Sequence, residues 1–153
     1  MVSRLPIDRI LVPTGLDPRS RFAFRRALQL AASSEATVEL LHVVSPAAGV
    51  MSAHLGRDMR ASKQLARHQE KLETWAREEP HDPELVECRV EEGDILRRVL
   101  AASLRADLLV MCTAGQDDLG DWLHGTKTQR MLDRAQAELW VVRPPADEDL
   151  DDY

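Results

Sequence analysis

The sequence predicts a single α/β domain: an open, doubly wound parallel sheet of five strands with helices on both faces. Three observations predict it. Short apolar runs alternate strictly with longer stretches of helical periodicity, giving five strands and four helices. Several of these runs are apolar throughout, the pattern of strands covered on both faces. The helical stretches between them fit right-handed crossovers, which join parallel neighbours and cover both sides of a sheet.

Taken in order, Ile10-Leu11-Val12 reads as the first strand, ended by Pro13. Asp17 then occupies an N-cap position and Pro18 the first helical position. The helix runs from Arg19 to about Ser33, with Ala23, Ala27, Leu30 and Ala31 on one face. Val38 to Val44 is the second strand, and Pro46 to Gly56 a loop. A long helix follows from about Asp58 to Glu79. Leu65, Leu72, Trp75 and Ala76 form its apolar stripe, and Pro80 ends it.

Val86, Cys88 and Val90 alternate with Glu87, Arg89 and Glu91, which describes a third strand with one wet face at a sheet edge. Gly93-Asp94 starts a helix through Leu104, and Leu108 to Met111 is a buried fourth strand leading into a glycine-containing loop. Thr126 opens the last helix with Gln129 three residues on, the spacing of a capping box. Leu139-Trp140-Val141-Val142 is the fifth strand.

Composition narrows the function classes. The chain of 153 residues carries a formal charge of −6, with 26 acidic and 20 basic side chains. Asp147, Glu148, Asp149, Asp151 and Asp152 follow the last basic residue, Arg143, so the body holds 21 acids against 20 bases. One domain over residues 1–145 and an acidic, disordered tail over 146–153 are therefore expected. A near-neutral body gives no support to nucleic-acid binding. No apolar run is long enough to span a bilayer, and Met1 to Ile7 lacks a signal-peptide pattern, so no membrane insertion and a cytoplasmic location are expected. Cys88 and Cys112 have neither CxxC spacing nor a nearby histidine cluster, so nothing suggests a disulfide scaffold or a zinc site, and no metal is expected.

In a doubly wound sheet, ligands bind beyond the carboxyl ends of the central strands. Those ends lead here into Pro13-Thr14-Gly15, His42-Val43-Val44 and Cys112-Thr113-Ala114-Gly115. The stretch Met111 to Gly115, nine residues, then Gly125-Thr126 resembles the phosphate loop of universal stress proteins. Ile10 to Thr14, Leu40 to Val44, Glu92-Gly93-Asp94, Ala106 to Val110 and Leu139 to Arg143 are similar to that family's other landmarks, in the same order. The resemblance implies a flavodoxin-like strand order of 3-2-1-4-5 and adenine-nucleotide binding, with ATP as the cofactor. It implies contacts from Pro13, Thr14, Val43, Met111, Gly115, Gly125, Thr126 and Lys127. The Val43 backbone would meet the adenine edge and Met111 its apolar wall, while the amino end of the Thr126 helix would face the phosphates. It also implies a homodimer paired through the last strand, Leu139 to Val142.

Two departures weaken the nucleotide reading. Cys112 stands where the family's loop begins with glycine, and Gly15 where ATP-binding relatives have an aspartate for the adenosine. Asp117, Asp118 and Asp121 add negative charge to the loop, which opposes phosphate. The expectation is a regulatory stress-response module that acts as a dimer with an unidentified protein partner and carries a degenerate pocket. The alternative is an ATP-binding member with nucleotide gating or slow hydrolysis.

Other residues read as structure. No catalytic grouping of serine, histidine and aspartate can be assembled. Arg60, Lys63, Arg67 and Lys71 form a solvated helix face, and His42 a satisfied core histidine. His54, His68, His81 and His124 lack metal-ligand spacing with one another. Cys112 reads as a small buried hydrophobe, with a reactive thiol as the alternative.

Overall fold

The computed structural model describes residues 6–45, 57–112 and 133–143. Its elements are β1 (Arg9–Pro13), α1 (Pro18–Ser34), β2 (Thr37–Val44), α2 (Arg57–Arg77), a 3-10 turn (Pro83–Leu85), β3 (Val86–Glu92), α3 (Ile95–Ser103), β4 (Leu108–Cys112) and β5 (Glu138–Val142). The five strands form one sheet in the order β3-β2-β1-β4-β5, all parallel. The expected fold class and strand order are thus met. The Pro46 to Gly56 loop, the Thr126 helix and the acidic tail lie outside the described residues.

Alternation along each strand divides the core in two. On one face Ile10, Val12, Val38, Leu40, Leu108 and Val110 meet α1 and α2, where Phe24 and Trp75 stack with ring centroids 5.6 Å apart. On the other, Leu11, Leu41, Leu109 and Met111 pack on Val99 and Ala102 of α3. Burying both faces of β1, β2 and β4 is what makes their sequences continuously apolar. At β3 the predicted alternation holds through Val90, with Val86, Cys88 and Val90 half-buried and Glu87 and Arg89 exposed, but Glu91 is half-buried and paired with Arg89 and Arg98. Burial of Cys88 pushes its thiol up to about 11, so it stays protonated at neutral pH.

The helices begin where side chains supply caps. Asp17 accepts bonds from Arg19 N at 2.9 Å and Ser20 N at 2.8 Å and opens α1 at Pro18, the cap and first helical position that were expected. Asp94 accepts from Arg97 N at 2.9 Å, so the turn precedes α3 and the helix itself starts at Ile95 and ends at Ser103. Gly93 has φ +145°, and a Cβ there would lie 2.7 Å from Arg98 Nε. Only glycine fits that turn. The end of α2 comes at Arg77, two residues earlier than Pro80 suggested, because Glu79 N–H turns back to the Ala76 carbonyl at 3.1 Å.

Charge closes the amino end of the sheet. Glu39 of β2 is 1% exposed and lies 3.0 Å from Arg9 and 2.6 Å from Arg105. Arg9 also pairs with Glu87. Burial alone would lower the Arg9 pKa, but the hydrogen bonds and charges of Glu39 and Glu87 outweigh it and raise the value. Asp107 Oδ2 accepts from Asp8 N at 3.0 Å and Arg9 N at 2.9 Å, which ties the start of β1 to the start of β4. These bonds lock the amino end of the sheet.

Candidate functional site

At the carboxyl end, β1 stops before its neighbours do. Thr14 N–H donates to the Leu41 carbonyl at 2.9 Å, continuing the parallel register in which Pro13 faces Leu41. One step further, parallel pairing would give the Thr14 carbonyl to Val43 N–H and the Leu16 N–H to the Val43 carbonyl. Neither group goes there. The Thr14 carbonyl accepts from His42 Nδ1–H at 2.9 Å, and Leu16 N–H donates to Thr14 Oγ1 at 3.0 Å. Leu16 adopts φ 64°, a left-handed conformation that turns the chain away toward α1. Val43 is therefore left beyond the β1 ladder, its N–H and C=O facing the gap where β1 has departed.

The apolar side of this gap is formed by Met111, 3% exposed at the end of β4, which belongs with Val43 to the core cluster on the α3 face. Pro13 and Thr14 are buried at the end of β1. Four of the eight predicted contact residues, Pro13, Thr14, Val43 and Met111, thus gather at the ends of β1, β2 and β4. Gly115, Gly125, Thr126 and Lys127 lie outside the described residues.

The chemistry of this end is short of one group. The carboxylate nearest in sequence to Gly15 is Asp17, and it is committed to its own helix. Oδ1 accepts from two backbone N–H groups and Oδ2 from the Ser20 hydroxyl. Releasing it toward a ligand would strip α1 of its cap, at a cost of about 1 kcal/mol. Cys112 is half-buried and packs on the α1 face of the sheet, as a small hydrophobe would.

His42 differs from expectation. It is satisfied, but it is half-buried at the end of β2 rather than in the core. Its Nε2 faces Nδ1 of His68 on α2 at 3.3 Å, with ring centroids 5.3 Å apart and planes at 27°. Burial pushes His68 below the ordinary histidine value, and His42 and then Lys71 push it further the same way. No spacing could have announced this pair, because 26 residues separate its members. Lys63, Arg67 and Lys71 are exposed along α2, as a solvated face requires.

A second cleft, of about 260 Å³, lies between α1 and the end of α2, lined by Leu16, Pro18, Trp75 and a set of charged side chains. Arg21 and Arg25 are engaged there by Glu78 and the buried Glu79, and Arg21 lies 4.5 Å over the Trp75 ring. These charges satisfy one another and join two helices. Among the described residues, no group of three or more metal-ligating side chains occurs.

Comparison with known proteins agrees with the geometry. The universal stress protein family pattern matches residues 6–143. No curated protein matches the chain. Among solved structures, the hypothetical protein MJ0577, described as a structure-based assignment of biochemical function, is 18% identical with a TM-score of 0.72. The match covers 94% of this chain and all of that one. The universal stress protein UspA from Lactobacillus plantarum is 18% identical at a TM-score of 0.64, over 92% of this chain and all of its own. A universal stress protein in complex with cAMP is 21% identical at a TM-score of 0.59, over 90% of this chain and 98% of its own. At these identities the structural likeness establishes the fold. With the family pattern running from the approach to β1 to the residue after β5, the chain belongs to the universal stress protein family.

Proposed function

We propose that the chain is a cytoplasmic stress-response regulator that acts through a homodimer and a protein partner, with an adenine-nucleotide pocket too depleted to hold ATP firmly. The observation that carries this reading is the commitment of Asp17, the carboxylate nearest in sequence to the end of β1, to the α1 cap beside Gly15. Binding energy for a nucleotide would then rest on an apolar gap and on Gly115, Gly125, Thr126 and Lys127 opposite an acidic loop.

The dimer reading draws on β5, an edge strand with Trp140 39% and Val141 48% exposed. An apolar edge with unpaired backbone groups invites a second copy, and antiparallel pairing about a two-fold axis would satisfy both. Sedimentation of the unmodified protein and of Val141→Pro tests this. A dimer at micromolar concentration is expected, and dissociation of a still-folded mutant, because proline removes a ladder donor. A wild-type monomer would overturn the dimer. A fully dimeric folded mutant would move the interface away from β5.

A second reading, an ATP-binding regulator gated by its nucleotide or hydrolysing it slowly, is favoured by Val43. Val43 lies past the last β1–β2 pair, Pro13 with Leu41, where a purine edge could meet its backbone, and one solved structure of similar fold is a universal stress protein in complex with cAMP. Mass spectrometry of the purified protein separates the two, since retained adenine nucleotide supports the second reading and its absence the first.

A further inference from the structure

We propose that His42 and His68 form a binding site for a divalent transition-metal ion, Zn²⁺ above all, on the α2 side of the carboxyl end of β2. The two ring nitrogens that face each other are 3.3 Å apart. Two imidazole nitrogens bound to one tetrahedral zinc at about 2.0–2.1 Å would be about 3.4 Å apart. An ion therefore needs no more than a small reorientation of either ring.

The tautomer of His42 suits a ligand. A carbonyl can only accept, so the bond to Thr14 puts the His42 proton on Nδ1 and leaves a lone pair on Nε2. A ligating histidine whose other nitrogen donates to a backbone carbonyl is the usual outer-shell arrangement of metal sites. That carbonyl is itself held, because the same residue donates its N–H to Leu41 and accepts the Leu16 N–H on its hydroxyl.

Both ligands stand on rigid elements. His42 belongs to a strand paired on both sides along most of its length. His68 lies one residue before Gln69, whose side-chain amide donates to the Cys88 carbonyl at 2.9 Å and fastens α2 to β3. Buried Leu72 anchors the next turn of the helix. Without an ion, His68 Nδ1–H donates to His42 Nε2. With one, the His68 proton moves to Nε2, both facing nitrogens turn lone pairs to the metal, and neutral rings release no proton. The half-buried position lets water complete the coordination. Among the described residues no carboxylate forms an ion pair with either ring, so the described protein donors are imidazole nitrogens, which favour zinc, nickel or copper over magnesium.

The test is titration of the chelator-stripped full chain with Zn²⁺, read by calorimetry and by imidazole NMR resonances. One equivalent is expected to bind and to shift His42 and His68 together. Loss of about tenfold or more in affinity is expected for His68→Gln and for His42→Gln, no change for His81→Gln, and no comparable response to Mg²⁺. The wild-type NMR shifts keep the proposal falsifiable if a His42 variant does not fold. The proposal is overturned if zinc shifts only other histidines, if His68→Gln binds as tightly as wild type, or if Mg²⁺ competes equally.

Discussion

Glu39 and His68 show how single side chains carry opposite ends of this sheet. Glu39 is held dry between Arg9 and Arg105 at the amino end. Glu39→Gln keeps the volume and removes the charge, leaving two guanidinium groups short of a partner. A stability loss of about 2 kcal/mol is expected, below the 3–5 kcal/mol of a fully buried pair because both arginines are partly solvated. Urea denaturation checks it, and a midpoint unchanged from wild type would remove Glu39 from the account. His68 is held below the ordinary value of 6.5 by burial first and by His42 and Lys71 after it. Below about pH 6.5 the unfolded chain then binds more protons than the folded one, so stability falls as pH drops through that value. In EDTA, His68→Gln should lose less melting temperature than wild type between pH 7.5 and 5.5. An equal loss would place the pH sensitivity elsewhere.

Element boundaries are set by local chemistry, and that decides what the sequence could disclose. Asp17-Pro18 and Gly93-Asp94 were legible because an N-cap needs a short acceptor and a left-handed turn needs glycine. The strands were legible because covered strands must be apolar. The turn at Pro83–Leu85 was not foreseen: it is short, capped by Asp82, and carries no periodicity. The pairing of His42 with His68 was equally hidden, because it depends on how α2 crosses β2. Release of Val43 from the β1 ladder depends on the left-handed Leu16, a residue type that gives no warning of such a conformation. Another non-glycine residue in that region is Glu35, the C-cap of α1, at φ 60° and ψ 25°. Glu35→Gly should relieve the strain and, after the entropy glycine adds to the unfolded chain, stabilise by about 0.5 kcal/mol. A rise of a degree or two in melting temperature is expected, and a fall would contradict the strain argument.

At the scale of the whole molecule, ion pairs tie the amino end of the sheet, and at the carboxyl end β1 stops at Pro13 while β2 continues to Val44. Family membership and strand order followed from landmarks spread over the chain, each weak but correctly ordered. Of the expected contact residues, Pro13, Thr14, Val43 and Met111 stand at the carboxyl ends of β1, β2 and β4, and their role toward a nucleotide belongs to the proposal. On the proposed reading function turns on Gly15, which stands in place of a carboxylate, while Asp17 is engaged as the cap of α1. Val43 extends past the last β1–β2 pair, and the proposed reading is weak affinity rather than none. Calorimetric titration of the purified, nucleotide-free protein with ATP tests this most directly. The account predicts no saturable heat at concentrations up to about 100 μM, equivalent to a binding free energy weaker than about −5.5 kcal/mol; saturable binding in the low-micromolar range would contradict it.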